Sequence, residues 1–124
     1  MEKLIDIHIH VGHKFEWTQD AKNLWMNTGQ YVPEIFDDEG KQLAEKYGEV
    51  IKRENVFGGI LIPEYSPLTA GVMPFERAQE IHNIHPEFIP IASLNPNYHG
   101  DLIEAFEKQL KGSQTPTSTW FFLG

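Results

Sequence analysis

The chain contains no cysteine. That excludes a disulfide scaffold, a cysteine nucleophile and thiolate metal sites. Basic residues are scarce: 10 Lys and Arg stand against 18 Asp and Glu, a formal net charge of −8. No Lys/Arg cluster occurs, so nucleic acids and anionic membranes are unsuitable partners. Long hydrophobic runs are missing as well. The longest, residues 56–62, is too short to cross a bilayer. The opening Met-Glu-Lys-Leu-Ile-Asp lacks the apolar core of a signal peptide, so a soluble, cytoplasmic protein is expected. There is no Gly-rich phosphate loop and no Gly-x-Ser-x-Gly elbow, which leaves a nucleotide site or a serine hydrolase unsupported. What is present is ordinary globular usage. The 124 residues are 40% hydrophobic and 23% charged, enough for one domain.

Residues 3–11 alternate with a period of two, as a strand does. Asp6, His8 and His10 fall on one face, and Ile5, Ile7 and Ile9 on the other. Gly12 ends the pattern. Residues 13–33 sustain no period and read as a long loop with at most a helical turn. Its aromatic content argues for a functional loop. Residues 37–54 predict a helix capped by Asp37 or Asp38, with Leu43, Tyr47, Val50 and Ile51 as its apolar stripe. Gly40 and Gly48 weaken it. Residues 56–62 form an apolar run ending at Pro63 and suit a strand covered on both faces. Residues 63–73 read as a second loop and 74–84 as a helix with Pro74 in its first turn. Residues 88–94 read as a strand, Asn95-Pro96-Asn97 as a turn, and 100–111 as a helix. The order β-α-β-α-β-α implies a parallel α/β sheet with helical crossovers.

Chemistry concentrates in Asp6-Ile7-His8-Ile9-His10-Val11-Gly12. Two histidines at i and i+2 on a strand share a face, about 7 Å apart along the backbone. Both imidazoles can turn onto one metal ion, and neutral imidazole suits Zn, Fe, Ni or Cu. The isoleucines, buried on the opposite face, would hold the strand rigid. A strand end followed by glycine is where βα-barrel active sites sit. His8 and His10 are therefore candidate metal ligands. Asp6 is a candidate to orient an imidazole, or else a carboxylate bonded to nearby backbone. His13, Trp17 and Trp25 are candidate substrate contacts, with Tyr31 a further aromatic in the same loop. For His13 the alternative is a loop histidine without a role. For the aromatics it is anchoring of the loop. Glu64 and Tyr65 would face the same mouth without an assigned role, and His99 reads as a turn residue near the mouth, with a substrate contact as the alternative. His82 and His85 share one helix face and read as surface histidines rather than a second metal site.

The run Ile5-Asp6-Ile7-His8-Ile9-His10-Val11-Gly12 resembles the first-strand signature of the amidohydrolase superfamily. More narrowly, it resembles the amidohydrolase-related branch that includes the aminocarboxymuconate-semialdehyde decarboxylase-like enzymes. The second strand ending in Pro63 and the Asn95-Pro96-Asn97 turn extend the resemblance over residues 4–111. It implies a (β/α)8 barrel, metal-binding His8 and His10, and usually zinc. It also implies hydrolysis or non-oxidative decarboxylation of a small carboxylated substrate. The family's other ligands, a histidine on a middle strand and an aspartate on the last, lie beyond this chain. A complete barrel needs roughly 250 residues, so residues 1–111 correspond to its first three βα units. The chain alone is then expected to be inactive, and its open sheet edges to favour self-association. Residues 112–124 are Ser/Thr-rich, uncharged and end in Trp-Phe-Phe-Leu-Gly. No fourth strand is expected there, and the segment reads as an out-of-frame or truncated end, or else as a genuine polar tail. The alternative function is a non-catalytic small α/β binding protein with a vestigial histidine pair.

Overall fold

In a computed structural model of the chain, residues 2–28, 32–112 and 120–123 are described. Three parallel strands form the centre: β1 (Leu4–His10), β2 (Val56–Ile62) and β5 (Phe88–Leu94). Two more, β3 (Glu64–Ser66) and β4 (Gly71–Met73), make a small antiparallel hairpin between β2 and the next helix. The helices are α1 (Gln19–Asn27), α2 (Ala44–Arg53), α3 (Phe75–Ile84), the single turn α4 (Pro96–His99) and α5 (Leu102–Gly112). The strand β6 (Trp120–Leu123) lies parallel to β5, giving the order β1-β2-β5-β6.

The core follows from the apolar stripes. Ile9, Val11, Leu61, Ala78, Ile81 and Phe88 form a buried cluster, against which Ala44, Tyr47 and Ile51 of α2 pack. Phe88, Leu61 and Ile81 are wholly buried, each contributing about 1.5–3 kcal/mol. Helix α2 contacts α3, and α3 contacts α5, so successive crossovers lie side by side. Gly48 allows α2 to approach the end of α3, because a Cβ there would sit 2.2 Å from the His85 ring.

Several expectations are corrected. The segment 13–33 contains α1, capped by the Thr18 hydroxyl, which accepts from the Ala21 N–H at 3.3 Å. Helix α2 starts at Ala44, not at 37. Asp37 instead closes a tight turn, its Oδ1 accepting from the N–H groups of Glu39 and Lys41, each at 2.9 Å. The segment 63–73 is the β3–β4 hairpin and not a plain loop. A fourth strand exists, because the apolar run 120–123 pairs with β5. Residues 113–119 and 124 of the atypical segment lie outside the described residues.

The isoleucine face of β1 is also corrected. Only Ile9 is buried, whereas Ile5 and Ile7 are 72% and 70% exposed. Asp6 partners Gly59 and Ile9 partners Leu61, so three steps on β1 oppose two on β2. The shift has the form of a bulge, a second shift of opposite sense falls between Leu4 and Ile5, and together they interrupt the alternation that the sequence displays. As the first strand in the order, β1 is also an edge. His82 and His85, expected on the surface, are withdrawn from it. His82 is 9% exposed, with Nδ1 2.8 Å from the Phe88 carbonyl oxygen. His85 places Nε2 3.0 Å from the Glu45 carbonyl oxygen.

Candidate functional site

The bulge in β1 shapes the histidine pair. The His8 N–H, displaced from the ladder, donates to Asp6 Oδ1 at 2.9 Å. Asp6 is thus bonded to nearby backbone. Beyond the bulge the two imidazoles converge, with Nε2 atoms 3.1 Å apart and ring centroids 4.8 Å apart at 65°. Two nitrogens on one tetrahedral zinc, each at about 2.0–2.1 Å, stand about 3.3 Å from one another. The pair therefore fits one metal ion if both protons sit on Nδ1. In the other tautomeric arrangement one ring donates to the other. Among the described residues no group of three or more His, Asp or Glu is gathered to hold a metal. The fit extends to two ligands of a tetrahedral centre.

His10 is held from both ends. Its carbonyl oxygen accepts from the Tyr47 hydroxyl, and burial pushes the Tyr47 phenol above its usual range, aided by Asp6. Its ring lies edge-on to Trp17 at 5.9 Å. His10 remains exposed in part, and partial burial holds its pKa below 6.5; repulsion from His8 adds to this, and Glu64 opposes it. A depressed pKa keeps the imidazole neutral, the form that binds metals.

The pair opens onto a cleft of about 590 Å³. Trp17 meets Trp25 at 6.1 Å, and Trp25 stacks on Phe36 at 6.1 Å. Leu24 and Ile35 continue the apolar wall, and Glu64 also lines the cleft. The structure thus brings Trp17 and Trp25 together with His8 and His10. It leaves His13 outside the cleft lining. The His13 N–H donates to Glu16 Oε1 at 2.6 Å, and its Nδ1 accepts from the Gln42 N–H at 2.8 Å. Tyr31 lies outside the described residues.

Gly12 and Gln42 fix the exit from β1. Gly12 has φ +132°, and a Cβ there would lie 2.2 Å from Met73 Cγ. Its N–H donates to Gln42 Oε1 at 2.8 Å, while Gln42 Nε2 donates to the Arg77 carbonyl at 3.0 Å. Arg77 in turn grips Glu16, with Nε 3.0 and 3.2 Å from the two carboxylate oxygens. A second cluster closes the ends of β2 and β5. The Tyr65 hydroxyl accepts from the Phe75 N–H at 2.8 Å, and burial pushes its pKa up to about 12. Its ring meets that of His99 at 4.4 Å. His99 Nδ1 accepts from the Asn95 N–H at 3.0 Å, which makes His99 a brace of its own turn.

Sequence reasoning missed Gln42, Leu24, Ile35 and Phe36, and read Tyr47 only as helix stripe. Each reaches the site through contacts distant in sequence, and no local pattern announces them. In comparisons with known proteins, no family model, curated protein or solved structure matches the chain. Among the described residues no helix is long and apolar enough to cross a membrane.

Proposed function

We propose that this chain supplies the first three βα units of a (β/α)8 barrel of the amidohydrolase-related kind, with His8 and His10 as two ligands of a divalent cation, zinc by resemblance. The observation that carries the reading is the 3.1 Å approach of the two Nε2 atoms at the C-terminal end of β1, facing a cleft. The winding supports it too. The strands β1, β2 and β5 lie side by side in chain order, with crossover helix α3 in contact with α2 on one side and α5 on the other. A barrel winds in this single direction throughout, and each half of a doubly wound sheet does so up to its switch point, so the order is one that a barrel shares.

The chemistry is hydrolysis or non-oxidative decarboxylation of a small substrate, the carboxylated class being the one the resemblance implies. A bound cation would supply Lewis acidity and a lowered pKa for bound water. This chain's residues contribute the rest of the arrangement. His8 and His10 offer neutral nitrogens, Tyr47 fixes the His10 backbone, and Trp17 and Trp25 wall the substrate space. Catalytic zinc keeps three protein ligands, so this chain alone has no meaningful turnover. The gathering of only two ligands among the described residues also favours the second reading, a small binding protein with a vestigial pair.

Zinc titration by calorimetry tests the proposal. The expected result is about one equivalent bound weakly, and lost in the His8→Ala/His10→Ala double variant. Zinc binding that survives the double change, or no binding by the unaltered chain, sinks the metal reading. Robust metal-dependent turnover by the purified chain would refute the expected inactivity.

A further inference from the structure

The cleft's charge is one-sided. Asp6 and Glu64 line it, and no Lys or Arg does among the described residues. The residues outside the described set include no Lys or Arg either. Arg77, on α3, is taken up by Glu16 and Glu80. Glu64 lines the same cleft as His8 and His10. Its carboxylate is steadied by the Ser66 hydroxyl, which donates to it. The same cleft has an apolar wall of Trp17, Trp25, Phe36 and Ile35, with Leu24 69% exposed on it. A volume of about 590 Å³ is that of a small-molecule pocket.

We propose that this cleft takes a small, largely apolar ligand, about the size of a substituted aromatic ring, whose polar end is uncharged or cationic, and that Asp6 and Glu64 turn away an anionic one. The apolar body lies against the Trp17–Trp25–Phe36 wall and the polar end meets His8 and His10. A carboxylate there faces two like charges in a partly desolvated space, where such juxtaposition is costly. A cationic end gains from both carboxylates. This rests on the histidine pair being the reactive end of the cleft.

The test uses the whole chain in EDTA near neutral pH, with three matched probes: benzamide, benzylamine and benzoate. The readout is the indole N–H resonances of Trp17 and Trp25, assigned through Trp17→Phe and Trp25→Phe. Benzamide and benzylamine are expected to shift both resonances saturably, and benzoate to bind at least about tenfold more weakly. Glu64→Gln, which keeps an acceptor for Ser66, is expected to narrow that gap by about threefold or more. Benzoate binding as tightly as benzamide overturns the proposal. So does a failure of all three probes to move either resonance, and so does a gap unchanged in Glu64→Gln. Because EDTA is present throughout, these outcomes are independent of the zinc titration, and either reading can fail without the other.

Discussion

His13 accepts the Gln42 N–H at Nδ1, and that bond exists only while Nδ1 carries no proton. Burial holds the His13 pKa below its ordinary 6.5, Arg77 adding to the effect and Glu16 and Glu80 opposing it. The sign of the linkage follows. Below 6.5 the unfolded chain takes up the proton before the native state does. The stability tied to neutral His13 is therefore complete above 6.5 and is lost as pH falls from there toward the depressed native value. His10 shifts in the same direction and adds to the slope. Asparagine at position 13 offers an acceptor oxygen near the place of Nδ1 and does not titrate. Urea unfolding midpoints across weakly acidic pH are expected to fall more shallowly for His13→Asn than for the unaltered chain. Equal slopes would show that the bond to Gln42 does not govern the acid side of stability.

At the scale of elements, legibility tracked burial. The strands at 56–62 and 88–94 appear end for end in the structure, because strands covered on both faces need continuous apolar runs. Helix α3 was readable because Phe75, Ala78 and Ile81 face the core. Helix α1 buries no residue, so no core stripe marks it. Its apolar residues Ala21, Leu24 and Trp25 face the cleft instead, and only the Thr18 cap signals its start. The His8–His10 pairing was legible in the i, i+2 spacing, but neither the exposure of Ile5 and Ile7 on this edge strand nor the bulge was. It arises from register against β2, where Gly59 lets β1 come close. A Cβ at Gly59 would stand 2.2 Å from the Asp6 carbonyl oxygen and 2.7 Å from Ile9 Cδ1. A backbone oxygen cannot rotate away as a flexible side chain can. Gly59→Ala is therefore expected to cost about 3 kcal/mol, the upper end of overpacking, and to loosen the histidine strand. Chemical denaturation gives the first quantity, and the His8 and His10 ring resonances report the second. A loss under about 1 kcal/mol would show that β1 shifts freely and that the bulge is not locked by Gly59.

For the whole molecule, two opposed terms meet at the β1 edge. Leu4, Ile5 and Ile7 are 52%, 72% and 70% exposed along it, and an edge strand offers unpaired backbone groups to a second copy. Against this stands the net charge of −8, which repels copies over about 10 Å at 0.1 M salt and over less as salt rises. The apolar and hydrogen-bonding terms do not weaken with screening in this way. Association through β1 should therefore grow with both protein concentration and salt, the reverse of a contact made by opposite charges. Lysine at an exposed edge position protects natural sheets from such pairing, and neither Ile5 nor Ile7 belongs to the buried cluster. The Ile5→Lys/Ile7→Lys variant is thus expected to keep its fold by circular dichroism. In sedimentation velocity it should remain monomeric at high salt, where the unaltered chain gives larger species. A chain that stays monomeric at every salt and concentration would mean that the open edge is too short or too twisted to pair. Association that persists in the lysine variant would move the contact to another surface.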